Sequence, residues 1–360
     1  MSKFKRTAEQ ITKTIVEEEF EPVEKMPVQW ENVPIVSSGS TLLDLSISGG
    51  RIYGGGIPCS ILMEIHGPSG SGKTALLSEI AASAQLQNGD IMYQDPESRM
   101  DKEYARIYQV ELDKTNYHQP ETVEEVFALV KNWKTEKTPK VLLTDSLAAL
   151  TTDLEMSDKG DKMGMKRAKE FSAGFRKAAR TISQMLWVCS NQEREGDNGP
   201  VTPGGKAIPY YSSLRIRCRQ IKKIEIEKGF MPKAILALQE QSIDKKEKKA
   251  KEVTVTQTIG ILSECIIGKS TVDDPFRTAP IYIMFGYGID DIRANLQYLK
   301  DMCNLTTYPT PDGKKYMGLD QAVMHVEEND LSKELKKQTI DIWYEVQDLF
   351  RANRLRKKVR

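Results

Sequence analysis

Buried-strand and amphipathic-helix patterns alternate through the middle of this chain. Ile61 to Ile65 is a short apolar run, and Ala75 to Gln87 is rich in good helix formers. A second strand, Ile91 to Asp95, precedes Glu121 to Trp133, which carries Val123, Val126, Phe127 and Val130 at helical spacing. Lys140 to Asp145 (KVLLTD) and Met185 to Ser190 (MLWVCS) each hold a continuous apolar stretch, as strands covered on both faces do, and Met165 to Ser183 between them reads as a helix. Strands alternating with helices predict an α/β fold around a mostly parallel, twisted sheet. The texture then changes. Ser213 to Arg219 alternates Leu214, Ile216 and Cys218 with Arg215, Arg217 and Arg219, predicting one buried and one basic face. Val253 to Ile267 and Ile281 to Phe285 are further strands.

The flanks read differently. Ala8 to Phe20 has Ile11, Ile15 and Val16 on one helical face, followed by Pro22, Pro27 and Pro34, so residues 1–35 are an arm that docks on a neighbour or a frayed terminus. A short helix begins near Ser40, and the glycines from Gly49 to Gly56 end it. Residues 36–289 then form the core. Residues 290–360 form a small α+β domain: a helix over Ile292 to Cys303, a hairpin turning at Asp312-Gly313, and helices over Leu319 to Val326 and Leu331 to Phe350. The last helix is expected to point Leu335, Ile342, Trp343, Val346 and Leu349 or Phe350 inward. A basic tail runs from Arg354 to Arg360.

Composition narrows the class. The 360 residues are 39% hydrophobic and 29% charged, with a net charge of +1. That suits a globular protein, with no global polycationic field and no apolar run of membrane-spanning length. Five scattered cysteines and three dispersed histidines form no zinc pattern and read as reduced thiols and isolated imidazoles of a cytoplasmic protein. Lys245 to Lys251 (KKEKKAK) is a solvated loop or an exposed hairpin tip.

The chemistry concentrates after the first core strand. Gly67-Pro68-Ser69-Gly70-Ser71-Gly72-Lys73-Thr74 has the G-x-x-x-x-G-K-[ST] spacing, with a strand before it and a helix opening at Ala75. Backbone N–H groups of such a loop turn around a phosphate, Lys73 reaches the β- and γ-phosphates of ATP, and the Thr74 hydroxyl ligates Mg²⁺. Asp145, at the end of an apolar strand, is the metal-side partner. Glu97, just past another strand end, is placed to orient a water toward the γ-phosphate, unless it is a solvated loop acid. Gln192 hydrogen-bonds the γ-phosphate or its attacking water, or is a plain end-of-strand amide. Glu193 to Gly205 is a polar, turn-rich loop.

The order of these motifs resembles the RecA family of ATP-dependent strand-exchange proteins. The resemblance rests on Ser37 to Asp44 with Gly55 to Pro58, on Asp95-Pro96-Glu97 with Asp101 and Tyr104, and on Leu142 to Leu150. It continues through Asn191-Gln192 with Gly204-Gly205-Lys206-Ala207, Lys269 with Pro275-Phe276, Gly286 to Ile289, and Lys315 to Gly318, covering roughly residues 36–335. It implies a DNA-dependent ATPase that stacks head to tail into a helical homo-oligomer on single-stranded DNA and pairs it with double-stranded DNA. Asp101 and Tyr104 would sandwich the adenine. Met163, Gly164 and Met165 would form a first DNA loop with Arg176 behind it, and Gly204, Gly205 and Lys206 would belong to a second. Lys269 would complete a neighbour's ATP site, where Thr271 stands at the place of an expected second lysine and Arg277 is one candidate to replace it. The short second loop, the insertion at Lys245 to Lys251 and the basic tail depart from the family pattern and fit a divergent, phage-type member. A ring-forming helicase or loader, and an ATP-binding regulatory scaffold, are the alternatives on the same core.

Overall fold

A computed structural model describes residues 32–151, 163–194, 200–230 and 253–350. The arm before residue 32, the insertion at Lys245 to Lys251 and the tail from Arg354 lie outside these residues. Of Met163, Gly164 and Met165, only the helical backbone is described.

In chain order, β1 (Ile35–Val36) pairs antiparallel with β2 (Ile57–Pro58) around α1 (Thr41–Ser48). The Ser40 hydroxyl caps α1 by accepting from the Leu43 amide. Then come β3 (Leu62–Gly67), α2 (Lys73–Leu86), β4 (Asp90–Gln94), α3 (Lys102–Ile107), β5 (Tyr117–His118) and α4 (Val123–Asn132). These are followed by β6 (Lys140–Thr144), α5 (Met163–Ile182), β7 (Leu186–Gln192), α6 (Ala207–Tyr211), β8 (Leu214–Phe230) and β9 (Val253–Ser270). The described chain closes with β10 (Thr278–Met284), β11 (Gly288–Ile289), α7 (Asp291–Met302), β12 (Tyr308–Pro309), β13 (Lys315–Tyr316), α8 (Leu319–Glu328) and α9 (Ser332–Leu349).

Nine strands form one sheet in the order β11-β10-β9-β8-β3-β7-β6-β4-β5. From β8 through β3 to β5 every pairing is parallel, and from β8 out to β11 every pairing is antiparallel. The central strand β3 is therefore buried between β7 and β8, and its carboxyl end carries the glycine loop. On one face, α4 and α5 pack Val126, Phe171 and Phe175 against Leu62, Leu142 and Trp187. The indole Nε1 of Trp187 donates to Thr144 Oγ1 at 3.0 Å, which satisfies its buried polar atom. A Cβ on Gly174 would meet the Phe127 ring at 2.1 Å, so glycine there lets α5 approach α4.

Two expectations change. The predicted basic face of β8 is neutralised: Arg215 pairs with Glu64, Arg217 with Glu193 and Arg219 with Glu264. The strand itself continues through Lys222 to Phe230, pairing with β9 out to Phe230↔Val253. At the other end, Leu335, Ile340 and Trp343 are the buried apolar positions of α9, whereas Leu349 and Phe350 are about four-fifths exposed. The inward stripe ends because the surfaces it packs on end. Leu335 joins Leu296, Leu299 and Val326, while Ile340 and Trp343 meet Leu45 of α1.

Candidate active site

The loop after β3 turns sharply because Gly70 and Gly72 take left-handed φ values of +73° and +93°. Gly72 also lies against β10, where an added Cβ would come within 2.2 Å of Ile283 Cδ1. The loop delivers the chain into α2 with Lys73 as its first residue, so the free N–H groups of that helix face the loop's concavity. Lys73 Nζ bends back to Gly67 O (3.0 Å) and Pro68 O (2.8 Å). Burial lowers its pKa, opposed by neighbouring acids that include Asp145 and Glu97.

Three further groups come from the carboxyl ends of adjacent parallel strands, where open α/β sheets bind ligands. Asp145 follows β6, and its Oδ2 accepts Thr74 Oγ1 at 2.7 Å. The Ser190 hydroxyl holds its other oxygen. Burial raises the Asp145 pKa against the hydrogen bonds from Ser190 and Thr74. A hydroxyl and a carboxylate oxygen this close are hard donors that fit Mg²⁺, an ion that keeps several waters and needs few protein ligands. Glu97 follows β4. Its Oε1 accepts from the Ser146 hydroxyl and from Gln192 Nε2 at 3.4 Å, and its Oε2 meets Arg99 Nε at 2.7 Å. Gln192 is the last residue of β7.

These residues line one cleft of about 360 Å³ together with Ser69, Tyr104, Tyr108 and a wall from Ile261 and Ile283 to Gly286. In the sequence, Ile281 to Phe285 reads only as a strand and Gly286 only as part of a family motif, and neither Ile261 nor Tyr108 is singled out. Tyr104 and Tyr108 pack with ring centroids 5.1 Å apart. Asp101 lies outside the lining and caps α3, accepting the Tyr104 amide at 2.7 Å.

Other singled-out residues lie apart from the cleft. Arg176 is exposed on α5, and Lys206 is exposed at the start of α6. Gly204 and Gly205 both have positive φ, and a Cβ on Gly204 would meet Ile208 Cδ1 at 2.5 Å. Lys269 pairs in register with Arg215, toward the amino end of β3, and its Nζ donates to Pro209 O (2.8 Å) and Tyr210 O (3.1 Å). The Thr271 amide donates to Ser213 O. Arg277 is engaged within its own chain, 2.6 Å from Asp273 and stacked over Trp343. No helix among the described residues is long and apolar enough to cross a membrane.

A family model described as RecA N-terminal domain matches residues 4–237. The chain is 29% identical over 317 residues to a DNA repair protein recA homolog 3, mitochondrial, of Arabidopsis thaliana, covering 84% of this chain and 66% of that one, just under two thirds. It is 29% identical over 321 residues to a Protein RecA of Acholeplasma laidlawii, covering 85% and 86% of the two chains. A Protein RecA of Lactococcus lactis subsp. cremoris (strain MG1363) is 30% identical over 267 residues, covering 72% of this chain and 62% of the relative.

Proposed function

The chain belongs to the RecA family, and from that premise we propose that it is a DNA-dependent ATPase of recombination and repair. In this reading it assembles as a helical filament on single-stranded DNA, pairs it with a homologous duplex and exchanges strands in the cytoplasm. The observation that carries the reading is the convergence of Lys73, Thr74, Asp145, Glu97 and Gln192 on one cleft at the carboxyl ends of β3, β4, β6 and β7.

The geometry supports the following roles. The loop from Gly67 to Ala75 cradles the phosphates of ATP, and Lys73 exchanges its two carbonyl contacts for phosphate oxygens. Thr74 and Asp145 hold Mg²⁺, which when bound neutralises charge developing on the phosphates. Glu97 orients a water for in-line attack, and Gln192, already on Glu97, reports the state of the γ-phosphate to the loop that follows it. Tyr104 gives the base an aromatic edge, and Asp101 fixes the helix that carries Tyr104. Lys269, remote from its own cleft, serves the cleft of the next protomer in a head-to-tail stack.

DNA is held by Met163, Gly164, Met165, Arg176, Gly204, Gly205 and Lys206, chiefly through its phosphates. Residues 1–35 are the arm, 36–289 the ATPase and DNA-binding core, and 290–360 the small terminal domain.

The test is ATP hydrolysis with and without single-stranded DNA at low and moderate salt. Stimulation that fades as salt rises supports the reading. Equal rates with and without DNA at every salt concentration would leave an ATPase core with another task.

A further inference from the structure

Glu193, the residue after Gln192, is held from three sides. Its amide donates to Gly67 O at 3.2 Å. That carbonyl is also one of the two that accept Lys73 Nζ. Its carboxylate, 8% exposed, receives a parallel pair of bonds from Arg217: Nε to Oε1 at 2.7 Å and Nη2 to Oε2 at 2.9 Å. The same Oε1 lies 2.9 Å from His66 Nδ1. A carboxylate only accepts, so Nδ1 carries the proton in this bond. Burial lowers the His66 pKa, favouring the neutral ring. Burial also pushes the Glu193 carboxyl upward, but Arg217 and His66 outweigh it and hold the group below its ordinary value.

None of these three side chains lines the cleft. Their positions nonetheless join the phosphate loop to the segment that follows β7. His66 immediately precedes Gly67, the first residue of the phosphate loop. Glu193 opens the loop that runs to Gly205. Arg217 stands on β8, directly beside His66 in the parallel register. The far stem of the loop is tied to the same place: Asn191 Nδ2 donates both to Pro203 O (3.1 Å) and to Glu64 Oε1 (3.0 Å). Between the stems, Arg194 and Val201 exchange two backbone bonds of 2.9 Å. Both ends of the loop are thus fixed to β3 and its neighbours, and the entry end shares a carbonyl with the lysine that phosphates would draw away.

We propose that Glu193, clamped by Arg217 and His66, is a positioning residue that transmits phosphate-loop occupancy to the paired stem Arg194–Val201 and on to Gly204, Gly205 and Lys206, and so sets how strongly nucleotide tightens DNA binding. The proposal rests on the DNA-dependent ATPase reading. A bidentate arginine–carboxylate pair supplies both the energy and the fixed angle this needs, whereas a single charge contact would let the stem rotate. Removing the fork frees the loop's entry to move independently of Gly67. The two sites then keep their separate affinities and lose their coupling.

The experiment compares single-stranded DNA affinity with and without a non-hydrolysable ATP analogue, for wild type, Arg217→Met and the isosteric Glu193→Gln. Analogue affinity without DNA and melting temperature are measured in parallel. The expected result is a nucleotide-dependent gain in DNA affinity that shrinks roughly five-fold or more in both variants, while analogue affinity alone stays within about two-fold. Arg217→Lys, which keeps the charge but not the fork, should recover only part of the gain. A folded variant that retains the full gain overturns the proposal. So does a loss that merely tracks a lower melting temperature and appears equally in analogue binding, since that is a structural role. If one substitution prevents folding, the other decides. A wild-type chain with no nucleotide-dependent gain would overturn the underlying reading and this proposal with it, and so is distinguishable from a failure confined to the variants.

Discussion

Gln192 Nε2 lies 3.4 Å from Glu97 Oε1, joining the end of β7 to the acid beyond β4 across the intervening strand β6. The Ser146 hydroxyl, from the end of β6, grips the same carboxylate oxygen. Glu97 is therefore oriented by two strands besides its own. Glu97→Gln keeps the shape and loses the basic oxygen. We expect hydrolysis to fall about 100-fold or more with nucleotide affinity little changed, the range for removing a general base. Paired turnover and binding measurements decide it, and normal turnover in the variant would remove Glu97 from the chemistry.

Lys73→Ala should act on the other quantity. The lysine stands at the loop's mouth and has only two carbonyls to release. Its loss should weaken ATP binding at least ten-fold, read by titration with a fluorescent nucleotide. An unchanged dissociation constant would mean that the backbone amides alone hold the phosphates.

Asp44 predicts a pH dependence of stability. Its carboxylate accepts from Ser37 Oγ (2.5 Å) and from Ser38 N (2.8 Å) and Oγ (2.6 Å). Burial nevertheless outweighs these bonds and pushes its pKa from 3.8 up to about 6. The folded state binds this proton more tightly than the unfolded state does. The stabilisation is therefore fully present below pH 3.8 and is lost as pH rises through about 6, a change on the order of 3 kcal/mol. Chemical denaturation of wild type and Asp44→Asn across this window should show wild type losing stability relative to the variant as pH rises. Parallel curves would contradict the assignment.

Much of this site was legible along the chain. Strands β3, β4, β6 and β7 are apolar runs that each lead to a residue with chemistry: Gly67, Glu97, Asp145 and Gln192. A parallel sheet aligns such ends by construction. Ile261 and the stretch from Ile283 to Gly286 were not legible as a cleft wall. Their pattern signals burial only, and the sheet order that brings β10 over Gly72 is a long-range fact. The apparent basic face of β8 misled for a similar reason, since Glu64, the partner of Arg215, lies 151 residues away in sequence. The six-residue helix α3 and the two-residue strand β5 are too short to show a period.

Trp343→Ala tests how α9 is anchored. The indole is 6% exposed against Leu45 and carries Arg277 over its face. Truncation should cost about 3–5 kcal/mol in chemical denaturation. A cost below about 1 kcal/mol would mean that α9 is held instead by its contacts with α7 and α8 and by Tyr344 on Gly49 and Ile52.

The cleft draws its walls from Ser69 at one extreme and Gly286 at the other. During synthesis the phosphate loop leaves the ribosome early, yet the surface opposite it does not exist until β10 has emerged. A nucleotide that binds the finished cleft can stabilise a chain only once that cleft is present. ATP should therefore protect truncated chains from proteolysis only when they extend past Gly286, so that the ligand favours the completed protein and not its growing intermediates.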